Sequence, residues 1–546
     1  MKKITIILML FSILPLAAQA QCPPPSKNTE LKTNNIRAPF KTNGSHFFYE
    51  NAEFEVPKGS GKTTMFAASL WLGAKDAQDN LHVAAMRYGQ KGIDFWAGPV
   101  SNEDSDAGTY YDKFFRVTKE EIDKHIAGFE APFYITPSSI LNWPAHGRTE
   151  HGESANLAPY VSVSGKDTYT PLEGDYPLIR GDEAIFWISN DKCDSHTESK
   201  GEPLGVEILS MAYAYNNPDY EMQHTIFLSY QIRNKSANQY KDLYVGFFAD
   251  FDIGYGYDDY IGCDPALNLA YGYNGREIDG MGQPWAYDEY PPAQGTMFLN
   301  QKMSAFMYFN NSPYTVTGDP NNANEHYNYL RAIWKDGILL THGGDGYNTT
   351  STNYTNFAFS GDPASKTGWT ENAPDGDGSE PNVPGDRRGI MSAGPFTLNA
   401  GETICVDIAL PFAQDLDGDN LSSVTLLKQN AQAIQQFYDN QNYECLGANS
   451  GVTPDIFASD ITIFPNPANN KLYIQSSKFK IQSIDIYDIY GRKQFSILNR
   501  SSGRSKLSEA NSQFSIDILH LQSGIYFVKL FSEDNKVATK RLVVVR

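Results

Sequence analysis

Thr225-Ile226-Phe227-Leu228-Ser229-Tyr230-Gln231-Ile232 is a short run of β-branched and aromatic residues between turn formers, and this composition reads as a strand. Thr64-Met65-Phe66-Ala67-Ala68-Ser69-Leu70-Trp71-Leu72, Ala184-Ile185-Phe186-Trp187-Ile188 and Leu243-Tyr244-Val245-Gly246-Phe247-Phe248 read alike. Short strands separated by turn residues predict an all-β fold of sandwich or barrel architecture: a large multi-sandwich body over residues 21–445, with room for two packed β-sandwich domains. Residues 252–296 and 341–388 are rich in Asn, Gly, Asp and Tyr and exceed ordinary connections, so long functional or ion-ordered loops are expected there. One late helix is expected within Asp419 to Asn440. There Val424, Leu427, Ala431, Ile434 and Tyr438 recur at steps of three or four, and Asp419 or Asn420 can cap the start.

The 546 residues leave room for about three or four domains, and 13% aromatic with 20% charged residues excludes wholesale disorder. With 44 Lys+Arg against 64 Asp+Glu, the chain lacks the cations that replace counterions on phosphate backbones. Nucleic acid is therefore excluded as a partner. The charge is divided: residues 455–546 carry 13 Lys+Arg against 8 Asp+Glu, whereas residues 21–454 carry a net −27. Between these parts, residues 446–459 read as a flexible linker of small and polar residues. A separate C-terminal unit then occupies 460–546.

Residues 1–20 read as a secretory signal peptide that delivers the chain to the periplasm. Lys2 and Lys3 form the positive start, Ile4 to Leu16 the apolar region, and Ala18-Gln19-Ala20 the cleavage site. Acylation of Cys22 would require a small residue before it, where Gln21 stands. Export places Cys22, Cys193, Cys263, Cys405 and Cys445 in an oxidising compartment, so two bridges and one leftover thiol are expected, with the pairing left open by spacing.

No catalytic constellation stands out. Gly59-Ser60-Gly61-Lys62-Thr63 ends like a phosphate-binding loop, but Val56 occupies the place of its first Gly. His146, His151 and Glu153 could ligate a metal, yet their segment lacks the HExxH pattern. A GxSxG elbow is also missing, and close carboxylate pairs are expected by chance among 64 acidic residues.

Calcium is the better chemical expectation, because hard cations take six to eight oxygens from dense Asp/Asn/Gly loops. Three segments qualify: Asp250, Asp252, Asp258, Asp259 and Asp264; Asp375 to Glu380; and Asp415, Asp417 and Asp419. The last has the alternating spacing of an EF-hand loop, but Gly418 sits at its fourth position and Leu426 takes the place of the bidentate Glu. Solvated acidic turns with Asp capping backbone amides are the competing reading. Tyr255, Tyr257 and Tyr260 interleave with the first set and suit a packed ion loop or an aromatic binding surface.

The last ninety residues alternate strands with Gly or Asn-Pro turns and predict a small immunoglobulin-like seven-stranded β-sandwich. They run through Pro465-Asn466-Pro467, Tyr487-Asp488-Ile489-Tyr490-Gly491-Arg492, Gly524-Ile525-Tyr526 and a closing strand with Lys540 and Arg541. In order and ending, this segment resembles the type A sorting domain of Bacteroidetes type IX secretion cargo. The resemblance implies recognition by the type IX outer-membrane secretion machinery, removal in the linker by a sortase-like peptidase, and a secreted or outer-surface destination.

The body is similar to surface proteins carrying the same sorting domain, through Leu70-Trp71-Leu72-Gly73, Trp143-Pro144-Ala145-His146-Gly147 and Asp258-Asp259-Tyr260-Ile261-Gly262-Cys263-Asp264. Two readings of its task stand. One is a non-catalytic binding or adhesion-type module for an extracellular polysaccharide or protein. The alternative is a secreted hydrolase, a glycosidase or peptidase, acting on such a polymer.

Overall fold

The computed structural model describes residues 22–48, 54–441, 443, 445, 461–476, 481–488, 493–498, 513–522, 524–532 and 537–545; the signal segment 1–20 and the 446–459 linker lie outside them. The chain divides into two compact units, Met1–Tyr160 with Thr168–Ser450, and Gly451–Arg546 with Val161–Asp167.

The first unit is a sandwich of two large antiparallel sheets. Its nine-stranded sheet runs in the order Asp259–Asp264, Leu269–Asn274, Ala293–Phe298, Thr403–Ala413, Thr225–Asn234, Val206–Ala214, Glu183–Asn190, and the last strand also pairs with Trp96–Ala97 and Phe115–Thr118. The seven-stranded sheet runs Met303–Asn310, Arg387–Leu398, Tyr240–Phe251, Thr63–Lys75, and three short strands share the last of these.

Strand periodicity explains the continuous apolar runs. Ile226, Leu228, Tyr230 and Ile232 point into the core between the sheets, where they join Leu70, Leu72, Val245 and Phe247. Phe227, like Phe186 and Met211, points the other way, into a second core that also takes Val424, Leu427, Ala431 and Ile434 of the Asn420–Gln441 helix. A strand buried on both faces reads as unbroken hydrophobicity rather than alternation, and each fully buried Leu, Ile or Phe contributes about 1.5–3 kcal/mol.

On the outer face of the smaller sheet, Trp71 stacks on Phe248 at 5.4 Å and Phe309 on Tyr329 at 5.2 Å. The 341–388 segment runs along the Met303–Asn310 edge strand, where Phe357 bridges Phe306 and Ala358 N donates to Phe306 O (3.0 Å). Trp334 and Trp369 are fully buried beside it against Tyr308 and Phe359, and their indole N–H groups donate to Gly346 O (2.9 Å) and Gly344 O (3.0 Å).

One expectation needs revision. The 252–296 stretch, read as a loop, supplies three strands of the nine-stranded sheet, and a short two-stranded pair besides, because Tyr260, Tyr271 and Tyr273 bury their rings despite the Gly and Asp around them. Beside the expected late helix, Asp104–Tyr111 and Lys119–Gly128 are helical, the latter opened by a capping box between Thr118 and Glu121. Disulfides join Cys22 to Cys193 and Cys405 to Cys445, while Cys263 is a buried free thiol. The Cys22 sulfur is therefore committed to a bridge rather than to a lipid.

In the second unit, Ile461–Phe464, Lys471–Ser476 and Gln513–Asp517 form one sheet; Lys493–Leu498, Ile481–Asp488, Gly524–Ser532 and Val537–Val544 form the other. Leu472, Ile474, Ile484, Ile486, Val528, Leu530 and Leu542 share its core, as expected of a small seven-stranded sandwich.

Candidate functional site

Asp250 and Asp252 sit at the end of the Tyr240–Phe251 strand, on the face that carries Phe248. The neighbouring ladder pairs Asp250 with Arg388 and Phe251 with Arg387, which brings Asp386 level with Asp252. One carboxylate oxygen from each of Asp250, Asp252 and Asp386 lies within 4.8 Å of the others. Arg388 is the cation against them, with Nε 3.3 Å from Asp250 and Nη1 3.1 Å from Asp386. Asp250 is 2% exposed; its Oδ2 accepts from Tyr88 Oη at 2.6 Å and its Oδ1 has no hydrogen-bond partner. Burial pushes its carboxyl up, against the pull of Arg388.

Next along the chain, Asp258 and Asp259 are buried, each with an Oδ1 that makes no hydrogen bond. Asp259 Oδ2 accepts from Ile253 N (2.8 Å), and burial, with Asp252 and Asp279 nearby, drives its carboxyl well above the usual range. Asp279 was not singled out from the sequence, yet it organises this loop. Its two oxygens accept from Tyr255 N (3.0 Å) and Tyr287 N (2.5 Å), and burial raises its carboxyl to about 6. A Cβ on Gly254 would stand 2.0 Å from Asp279 Oδ2, so only glycine, at φ +60°, lets the backbone come this close.

The loop held in this way turns large side chains outward. Tyr257 is 67% and Trp285 47% exposed, with Ile278 and Tyr290 also exposed, and the Tyr255 and Tyr257 rings lie 5.5 Å apart. A Cβ on Gly280 would stand 2.7 Å from Tyr255 Cβ and 2.6 Å from Ala286 Cβ, which places the Tyr255–Tyr257 and Trp285 segments side by side.

The remaining predicted acids lie elsewhere. Asp264 caps a 3-10 turn by accepting from Ala266 N (3.2 Å) and faces Lys428 at 3.7 Å. Asp415 accepts from Asp417 N (3.1 Å), while Asp419 caps the long helix through Leu421 N (3.0 Å) and Ser422 N (2.8 Å). Asp375 binds Gly344 N at 3.0 Å. Of the three metal-type residues near His146, Glu153 is spent on Tyr111 and Arg148, His146 joins backbone groups, and His151 pairs with Glu103 at 2.8 Å.

Open grooves carry little acid–base chemistry. One of about 700 Å³ is lined by Pro265, Asn268, Asn300, Gln301, Lys302 and Phe357, and Lys302 is its single charged group. Glu371, by contrast, is fully buried in a two-pronged pair with Arg387, Nε to Oε1 and Nη2 to Oε2 both at 3.0 Å.

In the second unit, Pro465, Asn466 and Pro467 are exposed, and Asn466 Oδ1 accepts from Val543 N at 2.8 Å. Ala468 N donates to Val543 O (2.8 Å) and Val545 N to Ala468 O (2.9 Å), so the Pro-Asn-Pro turn is laced to the strand bearing Lys540 and Arg541. Tyr487 donates to Asp485 Oδ2 (3.1 Å), Asp488 and Tyr526 are ladder partners, and Gly524 pairs with Val544. Gly491 and Arg492 lie outside the described residues.

Among the described residues no helix is long and apolar enough to cross a membrane. No curated protein matches the chain. Among solved structures, a polysaccharide lyase aligns at 9% identity and TM-score 0.19, covering 62% of this chain and 34% of its own, so the chain spans about a third of that protein's length. A GalM/aldose epimerase homologue from C. elegans aligns at 9% identity and TM-score 0.21, covering 71% of this chain and 99% of its own. Scores this low do not denote a shared fold. The family model described as a secretion system C-terminal sorting domain matches residues 462–545, so this β-rich chain carries a sorting domain of the type IX secretion kind, which implies a secreted or outer-surface protein.

Proposed function

We propose that the body is a non-catalytic binding module, of adhesion type, displayed at or released from the cell surface once the sorting domain has been removed by a sortase-like peptidase. The observation that carries this reading is the segment of residues 252–290, whose turns and short strands hold Tyr257, Ile278, Trp285 and Tyr290 in water. Leaving four large apolar side chains exposed on one segment forfeits burial energy, and clustered exposed aromatics mark surfaces that bind. The ligand is an extracellular polysaccharide, which would stack on the rings, or a protein. The carboxylates whose titration is raised, Asp250, Asp258, Asp259, Asp279 and Glu371 among them, are buried within the fold rather than lining the grooves, which disfavours an acid–base hydrolase.

The test screens the purified chain against a panel of polysaccharides and extracellular proteins. Replacing Tyr257 and Trp285 together by Ala should weaken binding at least about tenfold, on the order of 1.4 kcal/mol, with an unchanged melting temperature because both are exposed. Undiminished binding by the double variant, or shortening of any polymer in the panel, would overturn the reading.

A further inference from the structure

We propose that Asp250, Asp252 and Asp386 form a calcium site that anchors the 252–296 segment to the smaller sheet of the body. The argument begins with register. Asp250 pairs with Arg388 and Phe251 with Arg387 at the end of an antiparallel ladder, and just beyond it the carboxylates of Asp252 and Asp386 come together with that of Asp250. Like charges brought this close repel.

Arg388 answers part of this charge, through Asp250 at 3.3 Å and Asp386 at 3.1 Å. One guanidinium is thus shared by two of the three carboxylates, in an acidic cluster of the kind a divalent cation binds. The spacing permits an ion: the three carboxylates have oxygens within 4.8 Å of one another, no further apart than two oxygens facing each other across a calcium ion at about 2.4 Å.

An independent observation points to a ligand. Asp250 is 2% exposed, and its Oδ1 has no hydrogen-bond partner although Oδ2 is satisfied by Tyr88. A buried carboxylate oxygen without a partner costs a desolvation penalty that an ion would repay. Asp259, whose main-chain oxygen accepts from Gly385 N at 3.0 Å beside Asp386, adds a second buried oxygen without a partner, Oδ1. The turn after Asp252 closes tightly on it, since a Cβ on Gly256 would stand 2.3 Å from Asp252 Oδ1. The oxygen-only donor set and irregular turn suit calcium better than magnesium, which demands near-ideal octahedral geometry.

The test uses the full chain, stripped with chelator, and reads metal binding rather than polymer binding, so it stands or falls apart from the adhesion reading. Calcium should raise the melting temperature by about 2 °C or more over chelator, and magnesium by less. Calorimetric titration should show calcium binding that Asp252→Asn and Asp386→Asn each weaken at least tenfold, while a double Asp415→Asn, Asp417→Asn variant keeps it. Terbium, excited through Tyr88, should luminesce on the wild-type chain and be displaced by calcium, a readout that does not depend on a variant folding. Unchanged melting with no titration heat, terbium emission that calcium does not displace, or full calcium binding by folded Asp252→Asn would each overturn the site.

Discussion

Asp279 shows how one residue outside any motif can govern a loop. Its carboxylate fixes the main chain at Tyr255 and Tyr287, yet it is fully buried near Asp258 and Asp288, and burial raises its titration from the ordinary 3.8 to about 6. A carboxyl that binds its proton more tightly when folded stabilises most below the unfolded value, and that contribution is lost as pH climbs through about 6. Between about pH 4 and 6 the slope from this group is on the order of 1.4 kcal/mol per pH unit. Asp279→Asn should therefore flatten the fall in stability over that window, whatever it does to stability at pH 7. Denaturant titrations at several pH values, with wild type and variant showing parallel pH profiles, would refute this. Asp250 and Asp252 were singled out in the sequence by the density of acids over residues 250–264; Asp386 was not, because only the pairing of distant strands brings it to them.

At the level of elements, the Asn420–Gln441 helix was readable from its stripe of Val424, Leu427, Ala431 and Ile434, all of them buried. The surface beneath it was not. Leu427 packs over Gly295, where a Cβ would stand 3.5 Å from Leu427 Cδ1 and 2.9 Å from Leu269 Cδ1, so the glycine gives the helix its seat. Leu427→Ala should cost about 2–5 kcal/mol, whereas replacing the exposed Thr425 by Ala should stay within about 0.5 kcal/mol. Chemical denaturation of the two variants would settle the contrast, and equal midpoints would mean that the helix is not a structural part of the body. The strands hidden in 252–296 escaped the sequence reading for a related reason. Their turns are dense in Gly and Asp, and the sheet neighbours that bury Tyr271 and Tyr273 are distant in sequence.

For the whole molecule, the sorting domain ties its ends together. Leu542 and Val544 lie in its core, and Val543 bonds Asn466 and Ala468. Removing residues 455–546 should stop delivery of the body to the surface or medium, and removing Lys540 to Arg546 alone should nearly do so, because the closing strand is lost. Fractionation that finds either truncated chain outside the cell in normal amount would contradict the role assigned to this domain. The sequence by itself determined the strand-rich class, the late helix, the sorting domain and the charge division, because these rest on local periodicity, composition and short motifs in order. Tertiary structure alone decided which acids meet, which loop shows its aromatics to water, and which cysteines pair. Those outcomes depend on register between distant strands, and local sequence carries no record of the neighbour across the ladder.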